Sequence, residues 1–148
     1  MKLLLAIDLR ESHDAVFAQA ADLTRRLGAV LDLVYVGTYE DIYQFVTDPR
    51  VRRLMEAEAQ ELHDRHRADL EALLARLPEE NRGRTHLPGG TPAGAITDME
   101  GPYDALLVAT HGRTGIAHLW LGSVAERIVR TSQKTVIVLR IPPQEMAP

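Results

Sequence analysis

The chain contains no cysteine and no long apolar run. Among its 148 residues, the absence of cysteine excludes disulfide bonds, thiolate catalysis and thiolate metal sites, and it is typical of a reducing compartment. No apolar stretch approaches the roughly 20 residues that a membrane-spanning helix needs. We therefore expect no membrane span, and the cytoplasm is the default location.

Positive charge is also scarce. Lysine and arginine number 17 against 21 aspartates and glutamates, which gives a net charge of −4. Proteins that coat nucleic acid or anionic lipid cluster lysine and arginine, so neither nucleic acid nor a membrane surface is an expected partner. The hydrophobic share of 45% and the charged share of 26% indicate an ordinary globular chain, long enough to bury one core.

Short apolar runs alternate with helical patterns along the chain. The runs predict four strands, at residues 2–7, 30–36, 104–110 and 135–140, and residues 84–87 suit a short, polar strand between the second and fourth of the five. Helical spacing predicts four helices. The first follows Ser12 as its cap, the second runs over 50–77, the third begins at Pro92 and the fourth runs from Ser123 to Thr131. This alternation is typical of a parallel sheet with helices on both faces. We therefore expect a single α/β domain over residues 1–148.

Three glycines precede the last predicted helix, in THGRTGIAHLWLGSVAER at residues 110–127. Ligands of open parallel sheets bind beyond the carboxyl ends of the strands, where this segment is expected. Gly112 can bring its backbone close to an anion, and Arg113 can neutralise its charge. Gly122 and Ser123 open a helix whose first N–H groups carry partial positive charge. These features suit a phosphate group.

The same segment has a second interpretation that needs no ligand. Ser123 to Glu126 has the pattern of a capping box, in which serine and glutamate satisfy the N–H groups at a helix start. Neither a Walker signature nor a G-x-G-x-x-G after the first strand occurs, which disfavours a Walker-type nucleotidase and a dinucleotide dehydrogenase. Taken alone, the segment leaves phosphate binding and simple capping open.

Asp8 closes the first predicted strand and is a second candidate. A carboxylate at that position faces the same crevice and can accept hydrogen bonds from ribose hydroxyls. The alternative is that Asp8 caps a helix or forms a turn. The residue pattern leaves both roles open.

The glycine segment resembles the nucleotide-binding signature of the universal stress protein family, G-x2-G-x9-G-[ST]. Gly112, Gly122 and Ser123 match it, and Ala109 stands at the first glycine. LLLAIDLRESHDAV is similar to the family's first strand and acidic turn, LDLVYV to its second strand, GGTPAGAI to its third connection and SQKTVIVLR to its closing strand. Residues 38–82 lack family character, as its variable middle does, and 142–148 are expected to form a loose tail.

The resemblance implies a Rossmann-like open sheet of five strands in the order 3-2-1-4-5, which binds ATP at the crevice, with or without Mg²⁺ or Mn²⁺. It also implies a cytoplasmic protein linked to survival under stress, and a homodimer formed through the last strand, Thr135–Arg140. The implied nucleotide-binding residues are Ala6, Ile7, Asp8, Val36, Val108, Ala109, His111, Gly112, Arg113, Gly122, Ser123 and Val124.

Three functions are compatible with these residues. The first is a regulatory ATP-binding protein, in which the nucleotide orders the loop from Ala109 to Gly122 and alters a surface that faces an unidentified protein partner. The second is a dimeric interaction module whose nucleotide site is empty or vestigial, which Ala109 favours. The third, a slow ATPase or nucleotidyl transferase, ranks last, because no spacing identifies a catalytic base or a set of metal ligands.

The long predicted helix offers one candidate metal pair, His63 and His66. Two histidines spaced by three residues can share a metal ion, but Asp64 and Arg65 between them favour a solvated face, so we expect no metal. The mixed charge of this helix usually indicates contact with water. Its place in the variable segment, residues 38–82, nevertheless makes it the expected source of individual function.

Overall fold

Five parallel strands form the sheet, and helices cover both faces. The computed structural model describes residues 1–9, 13–37, 43–110 and 122–140, with Gln44 as backbone only. The strands are β1 Lys2–Ala6, β2 Val30–Val34, β3 Arg82–His86, β4 Ala105–Thr110 and β5 Thr135–Arg140. The helices are α1 Asp14–Leu27, α2 Pro49–Leu74, α3 Pro92–Asp98 and α4 Ser123–Thr131. The strand order β3-β2-β1-β4-β5 confirms the predicted α/β fold.

Alternate residues of the central strands build two separate cores. Leu3 and Leu5 of β1 pack with α1 and α2 on one face of the sheet. Leu4, between them, packs with α3 and α4 on the other face. Successive side chains of a strand point to opposite faces, so a central strand covered on both sides needs an unbroken apolar run. This is why the runs predicted the strands correctly.

The caps of α1 and α2 agree with the sequence patterns in part. His13, not Ser12, is the N-cap of α1, and Ser12 lies outside the described residues. Gly28 ends α1 in the left-handed conformation with φ of 58°, which glycine adopts readily. Asp48 caps α2, because its carboxylate accepts the N–H of Arg50 at 2.8 Å.

The helix α2 is buried only near its end. It has 26 residues, which corresponds to about 39 Å of helix. Its buried side chains are Leu70, Leu73 and Leu74, all in the last two turns. The first two thirds of α2 therefore lie against the protein without entering its core.

No helix in the described ranges is both long and apolar enough to cross a membrane.

The prediction of a solvated face around His63 and His66 is wrong. Both side chains are half-buried, and the His66 ring meets the Tyr35 ring edge-on, with 4.8 Å between the centroids. His66 precedes Leu70 by four residues, so the two share the side of α2 that faces the sheet. Within the described ranges, no group of three or more acidic and histidine side chains could hold a metal ion.

Candidate functional site

The carboxyl ends of β1, β2 and β4 meet at one edge of the sheet, which we call the carboxyl edge. The strand register pairs Ala6 with Val34, and Leu5 with Leu107, so these three strands end at similar levels. After β1 the chain enters α1 on one face, whereas after β4 it reaches α4 on the other. Open parallel sheets bind ligands where the connections diverge in this way.

Four predicted site residues lie at the ends of β1 and β2. Ala6 is the last residue of β1, and Ile7 is buried, with its N–H donating to the Val34 carbonyl at 3.0 Å. Asp8 and Val36 are half-buried and follow these strands. Extending the register by two residues sets Asp8 level with Val36. The structure therefore brings all four to the carboxyl edge.

Val108 and Ala109 lie in β4, paired with Val138 and Leu139 of β5. The hydroxyl of Thr110, which ends β4, donates to the Leu139 carbonyl at 3.3 Å. No residue other than glycine has a positive φ in the described ranges. Ala109 thus has an ordinary extended backbone, which alanine adopts without strain. Nothing in its conformation requires the glycine of the family signature.

His111, Gly112 and Arg113 lie outside the described residues, as does the remainder of 111–121. The tail predicted over 142–148 also lies outside them. These positions of the predicted site keep the status of sequence-based expectations.

The helix α4 begins at the carboxyl edge, and within the described residues no side chain caps its start. Gly122 is its N-cap, and Ser123 is the first helical residue, so the interpretation of Ser123 to Glu126 as a capping box is wrong. A side chain caps a helix from the N-cap position, which here belongs to glycine. The Glu126 carboxylate instead pairs with Arg130 at 2.7 Å. The N–H groups of Ser123 and Val124 therefore belong to a helix start with partial positive charge, and both residues are exposed.

Sequence reasoning missed one buried carboxylate, that of Asp32 in β2. Asp32 is fully buried. It accepts hydrogen bonds from the Tyr103 hydroxyl at 2.7 Å and the Arg84 N–H at 2.9 Å. His86 Nε2 lies 3.0 Å away, and the Lys2 ammonium forms an ion pair at 3.1 Å. The signal was an acidic residue inside the otherwise apolar run LDLVYV.

The partners of Asp32 keep its carboxyl ionised. Burial raises the pKa of this carboxyl, but the hydrogen bonds from its partners together outweigh burial, so the pKa lies below its ordinary value. Burial, and then the hydrogen bond to the Asp32 carboxylate, raise the pKa of the Tyr103 hydroxyl. Tyr103 thus stays protonated as the donor, and Asp32 stays charged as the acceptor.

Gly83 provides the space that Asp32 occupies. A Cβ at position 83 would lie 1.9 Å from Asp32 Oδ1 and 2.6 Å from the Leu31 carbonyl oxygen. The pairing of β2 with β3 shifts register at this point, so β3 contains one extra residue. Lys2 and Tyr103 lie at the amino ends of β1 and β4, away from the carboxyl edge. We therefore assign the Asp32 cluster to the fold and not to a ligand.

Comparison with known proteins identifies the family. The model of the universal stress protein family matches residues 1–140. A universal stress protein of Methanocaldococcus jannaschii is 33% identical over 63 residues, which cover 41% of this chain and 37% of that relative. The matched segment therefore spans well under half of the relative.

Solved structures of similar proteins share the fold. The universal stress protein UspA from Lactobacillus plantarum has a TM-score of 0.68 and 23% identity, with 95% of this chain and 97% of that chain covered. A universal stress protein solved in complex with cAMP has a TM-score of 0.56 and 19% identity, with 96% and 98% covered. At these identities the likeness establishes the fold alone. Taken with the family match over residues 1–140, it shows that the chain belongs to the universal stress protein family.

Proposed function

We propose that this chain binds an adenine nucleotide, ATP in the first place, at the carboxyl edge between β1 and β4. The observation that carries the proposal is the start of α4, where Gly122 is the N-cap and no side chain of the described residues caps the helix. Uncapped N–H groups at a helix start bind phosphate well. In this proposal Asp8 accepts hydrogen bonds from the ribose hydroxyls, and Val36 packs against adenine.

Two further observations support an adenine nucleotide. Ala109 has the extended backbone of a regular strand, so its replacement of a signature glycine imposes no strain on the site. One protein of the same fold was solved in complex with cAMP, which is also an adenine nucleotide. In this proposal the signature residues His111, Gly112 and Arg113 complete the phosphate contacts, and a Mg²⁺ or Mn²⁺ ion accompanies the ATP.

The proposed role is regulatory and cytoplasmic. Nucleotide binding orders the loop between Ala109 and Gly122, and the ordered loop changes the surface that a partner protein meets during stress. A ligand shifts such an equilibrium only through its different affinity for the two states of the loop. The contacts of the phosphates with the loop supply that difference.

Calorimetric titration with Mg-ATP tests the proposal. The parent protein is expected to give saturable heat, and Gly122→Val to weaken binding at least about tenfold, because its side chain obstructs the helix start. Gly122 has a φ of −55°, which any residue adopts, so the fold should persist. The control is Gly101→Val, where an added Cβ meets nothing within 4 Å. Absence of saturable heat from the parent, or a Gly122→Val variant that binds like the parent, would overturn the proposal.

The second candidate function is a dimeric interaction module with an empty nucleotide site. The observation that favours it is β5, which pairs with β4 alone among the described strands and forms an edge with Val138 exposed. An apolar edge strand is a template for pairing with a second copy. Nucleotide released from freshly purified protein by denaturation, and identified by mass, separates the two candidates, since an empty module releases none.

We also propose that the homodimer forms through β5, Thr135–Arg140. Val138→Lys places a charge at that edge and is expected to shift the protein from dimer to monomer in sedimentation velocity. Leu27→Lys is the control, because Leu27 is an exposed apolar residue at the end of α1. A dimer that survives Val138→Lys unchanged would contradict this arrangement.

A further inference from the structure

The last strand of the sheet ends in an exposed arginine. Arg140 closes β5, and within the described ranges its guanidinium forms no ion pair. The backbone carbonyl of Arg140 accepts a hydrogen bond from the side-chain amide of Gln19, which lies on α1. The end of β5 is therefore held in place from the α1 side, while the charged group of Arg140 remains available for another contact.

The side chain of Arg140 lies on the face of the sheet that α4 covers. Leu139 packs in the core with α1 and α2, and successive residues of a strand point to opposite faces. Val136, on the same face as Arg140, packs against the core to which α4 contributes Ile128. Because α4 begins at the carboxyl edge, Arg140 and the first turn of α4 share one face and one edge of the sheet.

The strand order sets Arg140 next to the phosphate end of the proposed nucleotide site. The strands follow one another across the sheet as β2, β1, β4 and β5, and Arg140 pairs with Thr110 at the end of β4. In the proposed site, adenine lies against Val36 after β2, the ribose at Asp8 after β1, and phosphate at the start of α4 after β4. The next position in this series is the end of β5, about 4.8 Å beyond β4.

We propose that Arg140 binds the terminal phosphate of the nucleotide and makes the site selective for a nucleoside triphosphate over a monophosphate. This inference rests on the nucleotide site of the proposed function. In an extended nucleotide, the terminal phosphate of a triphosphate reaches further toward β5 than the single phosphate of AMP. A planar guanidinium binds phosphate oxygens through two parallel hydrogen bonds. ATP therefore gains a contact that AMP does not make.

Arginine on an edge strand also has a purely protective use. A charge at an exposed edge discourages pairing with the wrong chain. Such a charge does not distinguish ATP from AMP, whereas a contact with the terminal phosphate does. Lys134 immediately precedes β5 at its other end, about 20 Å from Arg140 by the rise of the strand. It therefore offers a matched position for comparison.

Calorimetric titrations with ATP and with AMP, at one Mg²⁺ concentration, test the proposal. The parent is expected to bind ATP more tightly than AMP. Arg140→Gln is expected to weaken ATP binding about tenfold, as the loss of one charge-assisted contact does, and to change AMP binding by less than about twofold. Lys134→Gln is the matched control, because it removes the same charge from the opposite end of β5. Its effect on either affinity should stay within about twofold, since a distant charge is screened.

A second variant separates the contact from any effect on the edge of β5. Arg140→Lys keeps the positive charge at the edge but loses the paired hydrogen bonds, so its preference for ATP should lie between those of the parent and Arg140→Gln. Sedimentation velocity and thermal midpoints of all variants verify the oligomeric state and the fold.

The outcomes distinguish this inference from the nucleotide site on which it rests. If Arg140→Gln weakens ATP and AMP binding equally, or weakens neither, Arg140 is not selective, and the proposal is overturned while the nucleotide site remains. A loss of ATP affinity of the same size in Lys134→Gln also overturns it, because long-range charge then explains the effect. A parent that binds neither nucleotide overturns the proposed function, and this inference with it.

Discussion

The hydroxyl of Tyr103 donates a hydrogen bond to the buried carboxylate of Asp32 at 2.7 Å, across 71 positions of sequence. Asp32 lies in β2, and Tyr103 precedes β4, which is separated from β2 by β1. This bond therefore ties together chain segments that are not neighbours in the sheet. A buried charge with several hydrogen bonds is stabilising only while its partners remain in place.

Removal of the Tyr103 hydroxyl should destabilise the protein. Tyr103→Phe keeps the ring but deletes a donor to a buried carboxylate, so we expect the free energy of unfolding to fall by about 1.5–3 kcal/mol. Urea unfolding followed by circular dichroism measures this loss. Tyr43→Phe is the control, since Tyr43 lies in the 3₁₀ turn, and its change should stay within about 0.5 kcal/mol. Equal effects of the two substitutions would contradict this role of Tyr103.

Stability should also fall in alkaline solution. The pKa of Tyr103 is raised in the folded protein, so folding favours the protonated hydroxyl. Its contribution is complete below the ordinary tyrosine pKa of about 10 and is lost as the pH rises above that value. Urea titrations at increasing alkaline pH should show this loss in the parent and a shallower loss in Tyr103→Phe. Parallel curves for the two proteins would be the contrary result.

The stability of the protein in acidic solution should depend on Asp32. Its pKa is lowered in the folded protein, so its contribution is complete above the ordinary aspartate pKa of about 4 and is lost as the pH falls below that value. Asp32→Asn should cost about 3 kcal/mol at neutral pH and should reduce the acid dependence of stability. Asp14→Asn is the control, because the hydrogen bond from Arg76 lowers the pKa of Asp14 at an exposed site. Its effect should be much smaller.

Gly83 should tolerate no side chain. Gly83→Ala would bring its Cβ within 1.9 Å of Asp32 Oδ1, so the buried carboxylate or the backbone of β3 must move. We expect a loss of about 1–3 kcal/mol in the free energy of unfolding, as for other overpacked sites. Gly101→Ala is the matched control, since an added Cβ there meets nothing within 4 Å. Thermal unfolding of both variants is the measurement, and similar midpoints would disprove the steric explanation.

Restoration of the signature glycine should not improve nucleotide binding. Ala109 lies in β4 with an extended backbone, so Ala109→Gly relieves no strain. Glycine in a strand costs about 0.5–1 kcal/mol of stability relative to alanine. We therefore expect a lower thermal midpoint and an unchanged ATP affinity in calorimetry. Much tighter binding by Ala109→Gly would instead indicate that the methyl group of alanine obstructs the ligand.

The sequence predicted the central sheet well, because strands buried on both faces need apolar residues at every position. The runs at 2–7 and 104–110 agree with β1 and β4 to within one residue at each end. The prediction for β3 began two residues late. This edge strand contains Arg82, Gly83 and Arg84 and a bulge, so no apolar run or regular alternation marks its start.

Local sequence patterns could not predict the Asp32 cluster or the start of α4. The partners of Asp32 come from Lys2, Arg84, His86 and Tyr103, which only the folded sheet brings together. The S-x-x-E pattern at Ser123 fits a capping box, but Gly122 is the N-cap and Ser123 is the first helical residue. By contrast, the candidate residues at strand ends could be found by topology alone, because parallel strands end at one edge.

The part of α2 before Leu70 contributes no buried side chain to the core. Most of its side chains are exposed and are constrained more by helix formation and solubility than by packing, and surface substitutions usually change stability little. The surface residues of this helix can therefore change during evolution while the sheet beneath it stays constant. One scaffold can thereby evolve new recognition properties without any redesign of its interior.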